Sequence, residues 1–426
     1  MNQSSNNNSK SVQSVPFPAG FLWGAATASH QVEGNTINDW SEWEQAHAER
    51  LAKESHEDFG NLPCWNRVKS EAENPENYLS GASTDHYHLY EKDFDTLQSL
   101  GLNVYRFSLE WSRIEPKKGV FNAEELTHYK KVVAALKARN IEPFVTLWHW
   151  TLPLWLRDEG GLLAKNFSVY FENYTRKVLE ILGPDIKFIV TLNEPDVVTS
   201  HAYLKGAWPP QQKSLVSFFR ATMNLVNAHK KAYATIKEKY PSIQIGIAKH
   251  NVYFEVARKN LWNNFLKSIA DYTWNKWWLN RIKNHQDFIG LNHYNRNVID
   301  GWYGKNPNKQ VTDFGWEFIP ESLTNTLTEL IPYNKPIYVT ENGLADATDE
   351  LRQQFIPRVI KAMEEAVKQG APVKGYMYWS LLDNFEWDKG YWLKFGLIAV
   401  DRKTFVRTIR PSAEIYAKLV QKYKGL

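Results

Sequence analysis

Only one cysteine, Cys64, occurs in 426 residues. A lone thiol excludes an intrachain disulfide framework and fits a reducing compartment. With no histidine at motif spacing, it reads as inert rather than nucleophilic. Charge of one sign is also missing: 51 Lys and Arg face 47 Asp and Glu, interspersed, for a formal net charge of +4. No basic patch argues for nucleic acid. No apolar run reaches the ~18 residues that crossing a membrane takes. The opening "MNQSSNNNSKSVQSVP" has no apolar signal core, so residues 1–15 read as a disordered polar tail and the expected setting is cytoplasmic. No metal is expected either. The pair in "HYH" (86–88) is spaced i, i+2, lacks a third ligand, and reads as first-turn or capping residues of a helix.

Aromatic residues, by contrast, are plentiful: 18 Trp, 21 Tyr and 21 Phe in a chain that is 43% hydrophobic. Most must be core, but Trp beside charge in "NDWSEWE" (38–44), "TLWHW" (146–150) and "NFEWDKGYW" (384–392) suggests a lined pocket as well. Eight short apolar runs recur, at 21–28, 103–109, 141–147, 188–194, 243–251, 287–294, 337–341 and 373–381. Amphipathic segments at 86–101, 123–140, 166–183, 215–240 and 348–370 lie between them and read as helices. That alternation predicts a closed (β/α)₈ barrel over residues 16–426, a single catalytic domain with its site at the C-terminal ends of the strands. A doubly wound sheet is the competitor, and no Gly-rich nucleotide loop follows the first run to support it. The interval from 28 to 103 is too long for one βα unit. It is expected to form an extended loop over the barrel mouth, with "KSEAENPENYLSGAS" (69–83) exposed.

Polar residues cluster at the predicted strand ends, among them His30, Gln31, Arg106, His149, Trp150, Asn193, His250, Asn292, Tyr294 and Trp379. Two carboxylates stand out, in "TLNEPD" (191–196) and "YVTENG" (338–343). Glu194 at the end of strand four and Glu341 at the end of strand seven would face each other across the barrel mouth. Paired carboxyls can cleave a glycosidic bond: one protonates the leaving oxygen, and the other faces the oxocarbenium-like centre. Their separation decides between retention and inversion, and sequence does not give it. A nearby arginine, Arg106, would keep one carboxylate ionised, and Tyr294 could donate to the same group. His149, Trp150 and Asn193 offer donors for sugar hydroxyls, and Trp379 offers a flat face. His201, His250 and His293 could be pocket residues or structural ones.

The chain resembles glycoside hydrolase family 1, the β-glucosidase and β-galactosidase family, from about Phe17 to Ala417. The resemblance is carried by "PFPAGFLWGAATASHQVEG" (16–34), "YRFSLEWSRIEP" (105–116), "TLNEP", "YVTENG" and "YWSLLDNFEW" (378–387), in that order. It implies a retaining double displacement without cofactor, with Glu341 as nucleophile and Glu194 as acid/base. Gln31, His149, Trp150, Asn193, Glu386, Trp387 and Phe395 would bind the nonreducing-end sugar, with Trp379 as stacking platform. Arg106, Asn292 and Tyr294 would support the nucleophile. The implied substrates are small β-glycosides or oligosaccharides ending in glucose, galactose or fucose. Glu386 would accept two sugar hydroxyls and repel a 6-phosphate, while Lys389 and Lys394 read as solvated loop charges.

Two places depart from the family pattern. "NHY" (292–294) puts His293 where a tyrosine is usual, expected to face away from the nucleophile. "NTINDWSEWE" (35–44) replaces a longer glycine-rich loop, which leaves the far-side subsites open. A sugar-binding protein without catalysis and a transglycosidase remain alternatives on the same barrel. The motif "WNKWW" (274–278) reads as helix-to-barrel contact with one ring near the aglycone entrance, and the aromatic-rich outer helices leave room for a homo-oligomer.

Overall fold

Each of the eight apolar runs forms a strand because alternate side chains have two different apolar layers to enter. The computed structural model describes residues 17–301, 303–304 and 307–424; the polar tail expected over residues 1–15 lies outside them. The strands are β1 (Leu22–Ala26), β2 (Val104–Ser108), β3 (Glu142–Trp148), β4 (Phe188–Asn193), β5 (Gln244–His250), β6 (Ile289–Asn292), β7 (Ile337–Asn342) and β8 (Val373–Trp379). All pair in parallel with their neighbours. β8 closes onto β1, with Leu22 opposite Gly375 and Ala26 opposite Trp379. The expected (β/α)₈ barrel is the observed one.

Trp23, Tyr105, Val145 and Ile189 join the layer beneath the helices. Ala26, Val104, Phe144, Val190, Ala248 and Met377 belong to a second cluster that fills the lumen. Near the strand starts, Phe144 stacks on Phe188 at 4.9 Å and meets Tyr338 at 5.5 Å, so rings plug the N-terminal end of the lumen. The site can only sit at the other end. The lumen is narrow: a Cβ on Gly24 would lie 1.9 Å from the Val104 carbonyl oxygen.

Two strands are irregular. β4 slips register against β5 between Val190 and Asn193, and β7 slips against β6 between Val339 and Glu341. A bulge re-aims the side chains that follow it. Both slips lie just ahead of, or at, the carboxylates that the motifs single out.

The expected helices form as His86–Ser99, Ala123–Ala138, Phe167–Leu182, Leu215–Lys239 and Glu350–Lys368. The interval between β1 and β2 is not an extended loop. It folds as helices Asp39–Phe59 and Trp65–Ala72 and a 3-10 turn at Pro75–Tyr78. Asn38 and Ser41 start the first with a reciprocal capping box. The segment 69–83 is charged on one side only; Ala72 and Tyr78 are buried, and the Tyr78 hydroxyl donates to the Ala72 carbonyl at 2.8 Å. Its polar composition describes an outer face rather than a loop. Among the described residues no helix is long and apolar enough to cross a membrane.

Candidate active site

Glu194 follows the last residue of β4 and adopts φ 39°, ψ 59°, a left-handed conformation that non-glycine residues seldom take. Its N–H donates to the Ala248 carbonyl at 2.7 Å. The next residue, Pro195, starts the short helix Pro195–Thr199, where its missing N–H costs nothing. The strand therefore ends in a corner that swings the Glu194 carboxyl over the lumen. Glu341 lies within β7. The two residues are 5% and 4% exposed, so neither carboxyl is solvated as a surface group would be.

Arg106, on β2, joins both motifs. It donates to Glu341 Oε1 at 2.6 Å, to Asn193 Oδ1 at 2.6 Å and to Thr146 Oγ1 at 3.0 Å. Tyr294 donates to the other oxygen of Glu341 at 2.7 Å. The Asn292 amide donates to Glu194 Oε1 at 2.8 Å, and its carbonyl accepts from Thr340 at 2.7 Å. That amide also bears on Glu341 and favours its ionised form. One amide thus lies between the two carboxyls, where the resemblance had assigned it to the nucleophile alone.

The Asn193 oxygen is occupied by Arg106 and Asn292, so its amide must donate to His149 Nε2 at 3.1 Å. Burial, helped by the charge of Arg106, holds the His149 imidazole well below its usual range and hence neutral. Its proton sits on Nδ1, a buried donor without a protein partner. An orphan donor in a polar cavity is a place for a ligand hydroxyl.

The two carboxyls have different proton affinities. Burial pushes Glu194 well above the ordinary carboxyl range, and the charge of Glu341 adds to the push. Burial also raises Glu341, but Arg106, Tyr294 and Asn292 all pull it back. Of the pair, Glu341 ionises and Glu194 keeps its proton, an assignment of acid and base by environment.

Both face a cavity of about 530 Å³, which His149, Trp150, Tyr294, Trp379, Glu386, Trp387 and Phe395 also line. Trp150 (φ 79°) and Trp387 (φ 51°) are left-handed as well. Strained backbone thus gathers at the cavity. Gln31 stands behind Glu386; its amide donates to the Phe385 carbonyl at 2.7 Å, and its own oxygen has no protein partner. Burial and the nearby Glu341 charge raise Glu386 to about 8. At neutral pH it is therefore largely a neutral acid that donates as well as accepts, not the carboxylate expected from sequence.

Two other expectations change. The Trp150 indole N–H is spent on the Asn193 carbonyl at 3.0 Å, so Trp150 offers a ring and no donor. Lys389 is not a free loop charge: it lines the cavity, paired with Asp388 at 2.8 Å. Lys394 instead pairs with Glu71, away from it. His201, His250 and Trp274 reach the cavity wall, whereas His293 turns away to the Asn251 carbonyl and Ser322. Of the "HYH" pair, His86 opens its helix and binds Asp93 at 2.7 Å, and His88 binds Asp85 at 2.6 Å. Among the described residues no group of His, Cys, Asp and Glu is arranged to hold a metal ion.

Sequence reasoning missed one wall of the cavity: Val252, Phe254, Phe314 and Trp316, together with Trp208. These come from segments beyond the strand ends. The only signal in the sequence was aromatic density between predicted elements.

Comparison with known proteins agrees with this geometry. The sequence profile described as Glycosyl hydrolase family 1 matches residues 13–280 and 266–425. The Beta-glucosidase A of Thermotoga maritima is 31% identical, over 95% of this chain and 98% of its own. The 1,4-beta-D-glucan glucohydrolase of Thermotoga neapolitana is 30% identical with the same coverage. Among solved structures, a beta-glycosidase from Pyrococcus horikoshii superposes with a TM-score of 0.84 at 33% identity, covering 96% of this chain and 95% of that one. A beta-glucosidase from Thermotoga maritima in complex with glucoimidazole gives 0.82 at 30%, covering 96% and 100%. Matched from end to end by profile, sequence and fold, this chain belongs to glycosyl hydrolase family 1.

Proposed function

We propose that this glycoside hydrolase is a retaining β-glycosidase that releases the nonreducing-end sugar of small β-D-glucosides, and of the corresponding galactosides and fucosides. The observation that carries the reading is the divergence of two buried carboxyls. Glu341 is held ionised by Arg106 and Tyr294, while Glu194 is kept protonated by burial and by Glu341 itself. Relatives named for β-glucosidase and glucan glucohydrolase activity support the choice of glucose.

In the first step a Glu341 oxygen attacks the anomeric carbon. The bond to the leaving oxygen breaks, its electron pair stays on that oxygen, and the Glu194 proton goes to it. Loss of that proton leaves Glu194 an ionised base beside an esterified Glu341. It then takes a proton from water, whose oxygen attacks the anomeric carbon and displaces Glu341. Two inversions give net retention. His149 Nδ1–H, the free Gln31 oxygen and Glu386 supply fixed partners for the sugar hydroxyls. Trp379 and Phe395 wall the ring in.

The test is turnover of an aryl β-glucoside by the wild type and by Glu341→Gly, repeated with azide. A dead variant that azide rescues, giving a glycosyl azide of inverted configuration, is the expected result. A wild type that turns over no aryl glucoside, galactoside or fucoside yet binds the free sugar overturns the reading in favour of a sugar-binding protein.

A further inference from the structure

β5 carries a lysine in the interior. Lys249 is 1% exposed; its ammonium donates to Asp196 Oδ2 at 2.8 Å and to the His250 carbonyl, and lies 5.6 Å over the Trp274 ring. Asp196 is buried too. Neither lines the cavity. An interior ion pair adds little stability over an apolar pair of the same volume, so stability does not explain this one. Its position does. Ala248, one residue before Lys249, accepts the Glu194 N–H, and Asp196, two residues after Glu194, is held by Lys249. β5 therefore grips the chain on both sides of a left-handed Glu194.

We propose that the Lys249–Asp196 pair is a positioning device for the acid/base residue: it pins Glu194 between two ties to β5 and keeps a negative charge beside the proton Glu194 must hold. This rests on the assignment of Glu194 made above. The charged and titratable groups facing Glu194 are Glu341 on β7, Arg106 on β2, Tyr294 beyond β6, Asp196 on its own helix, and Lys249 with the neutral His250 on β5. Asp196 acts on Glu194 in the sense that retains the proton. Burial raises the Asp196 carboxyl above its ordinary range, and the Lys249 ammonium pulls it part of the way back. The ammonium, at 2.8 Å, works against burial to hold the aspartate ionised, and an ionised aspartate works to hold the proton on Glu194.

The experiment is kcat/KM against pH for the wild type, Asp196→Asn, Lys249→Met and the double variant. It uses phenyl β-D-glucoside, whose leaving group needs a proton, and a dinitrophenyl β-D-glucoside, whose leaving group does not. The expected result is an alkaline limb lowered by about one pH unit in all three variants with the phenyl substrate, and an acid limb that stays in place. Above that limb the phenyl substrate should lose about tenfold relative to the dinitrophenyl one. An unmoved alkaline limb, or equal losses for both substrates at every pH, overturns the proposal. If a single variant fails to fold, the double variant leaves no unpaired buried charge and gives the same readout. A wild type inactive on both substrates would overturn the glycosidase assignment and this inference with it, whereas an active wild type with unmoved variants overturns the inference alone.

Discussion

Tyr294 shows how much one hydroxyl decides. Its hydrogen bond to Glu341 favours the ionised carboxylate, so Tyr294→Phe should cut kcat by about 10- to 100-fold and move the acid limb of the pH profile upward. KM should change little, since the hydroxyl serves Glu341 and not the sugar; steady-state kinetics at several pH values checks both. Trp150→Phe is the opposite kind of change. It removes the donor to the Asn193 carbonyl while keeping a ring against Trp387 at the cavity wall, and should cost about 1 kcal/mol of stability in urea titration. The identities of Glu194, Glu341, Arg106 and Tyr294 were legible because each sits in a run of residues that chemistry constrains. What the run does not contain is direction. Trp150 reads as a donor and spends its N–H on the backbone; Asn292 reads as a companion of one carboxyl and lies between two; Glu386 reads as a charge and is half neutralised by its own burial at about pH 8.

Elements were easier to read than their exceptions. Short apolar runs located all eight strands, because one face of each must enter the lumen and the other must meet helices, so both are apolar. The bulges in β4 and β7 left no trace in that pattern, yet they turn the chain at the carboxylates. The helix Asp39–Phe59 was missed for a related reason. It carries its apolar residues on one side of a segment that is polar on average, and it lies in an interval whose length suggested a loop. Gly24 is where an element tolerates nothing: Gly24→Ala would place a methyl 1.9 Å from the Val104 carbonyl, and the barrel seam between β1 and β2 should open. The expected loss is about 4 kcal/mol or more, seen as a fall in the denaturant midpoint or as failure to fold.

At the scale of the molecule, several acids are buried without full compensation, and their protons are part of the fold. Glu386 holds its proton up to about pH 8 and Asp39 up to about pH 7, where ordinary carboxyls would release theirs near 4.5 and 3.8. A raised folded-state value means that the unfolded chain gives up the proton first. The stability these groups contribute is complete below the ordinary values and is lost as pH rises through about 7 and about 8. Unfolding free energy should therefore decline from pH 5 to pH 9, and Glu386→Gln, which keeps shape without titrating, should flatten the upper part of that decline in a urea series. The closure of β8 onto β1 has a consequence in time as well as in space. Gln31 enters the fold near the start of the chain, and its amide partners, Asn384 and the Phe385 carbonyl, come more than 350 residues later. A ribosome that has released residues up to strand seven has already made both carboxylates, Gln31 and His149, but neither Trp379 nor Glu386, which complete the cavity. Synthesis would have to run past Glu386 before the growing chain could hold a glucoside, so the reaction cannot begin on an unfinished molecule.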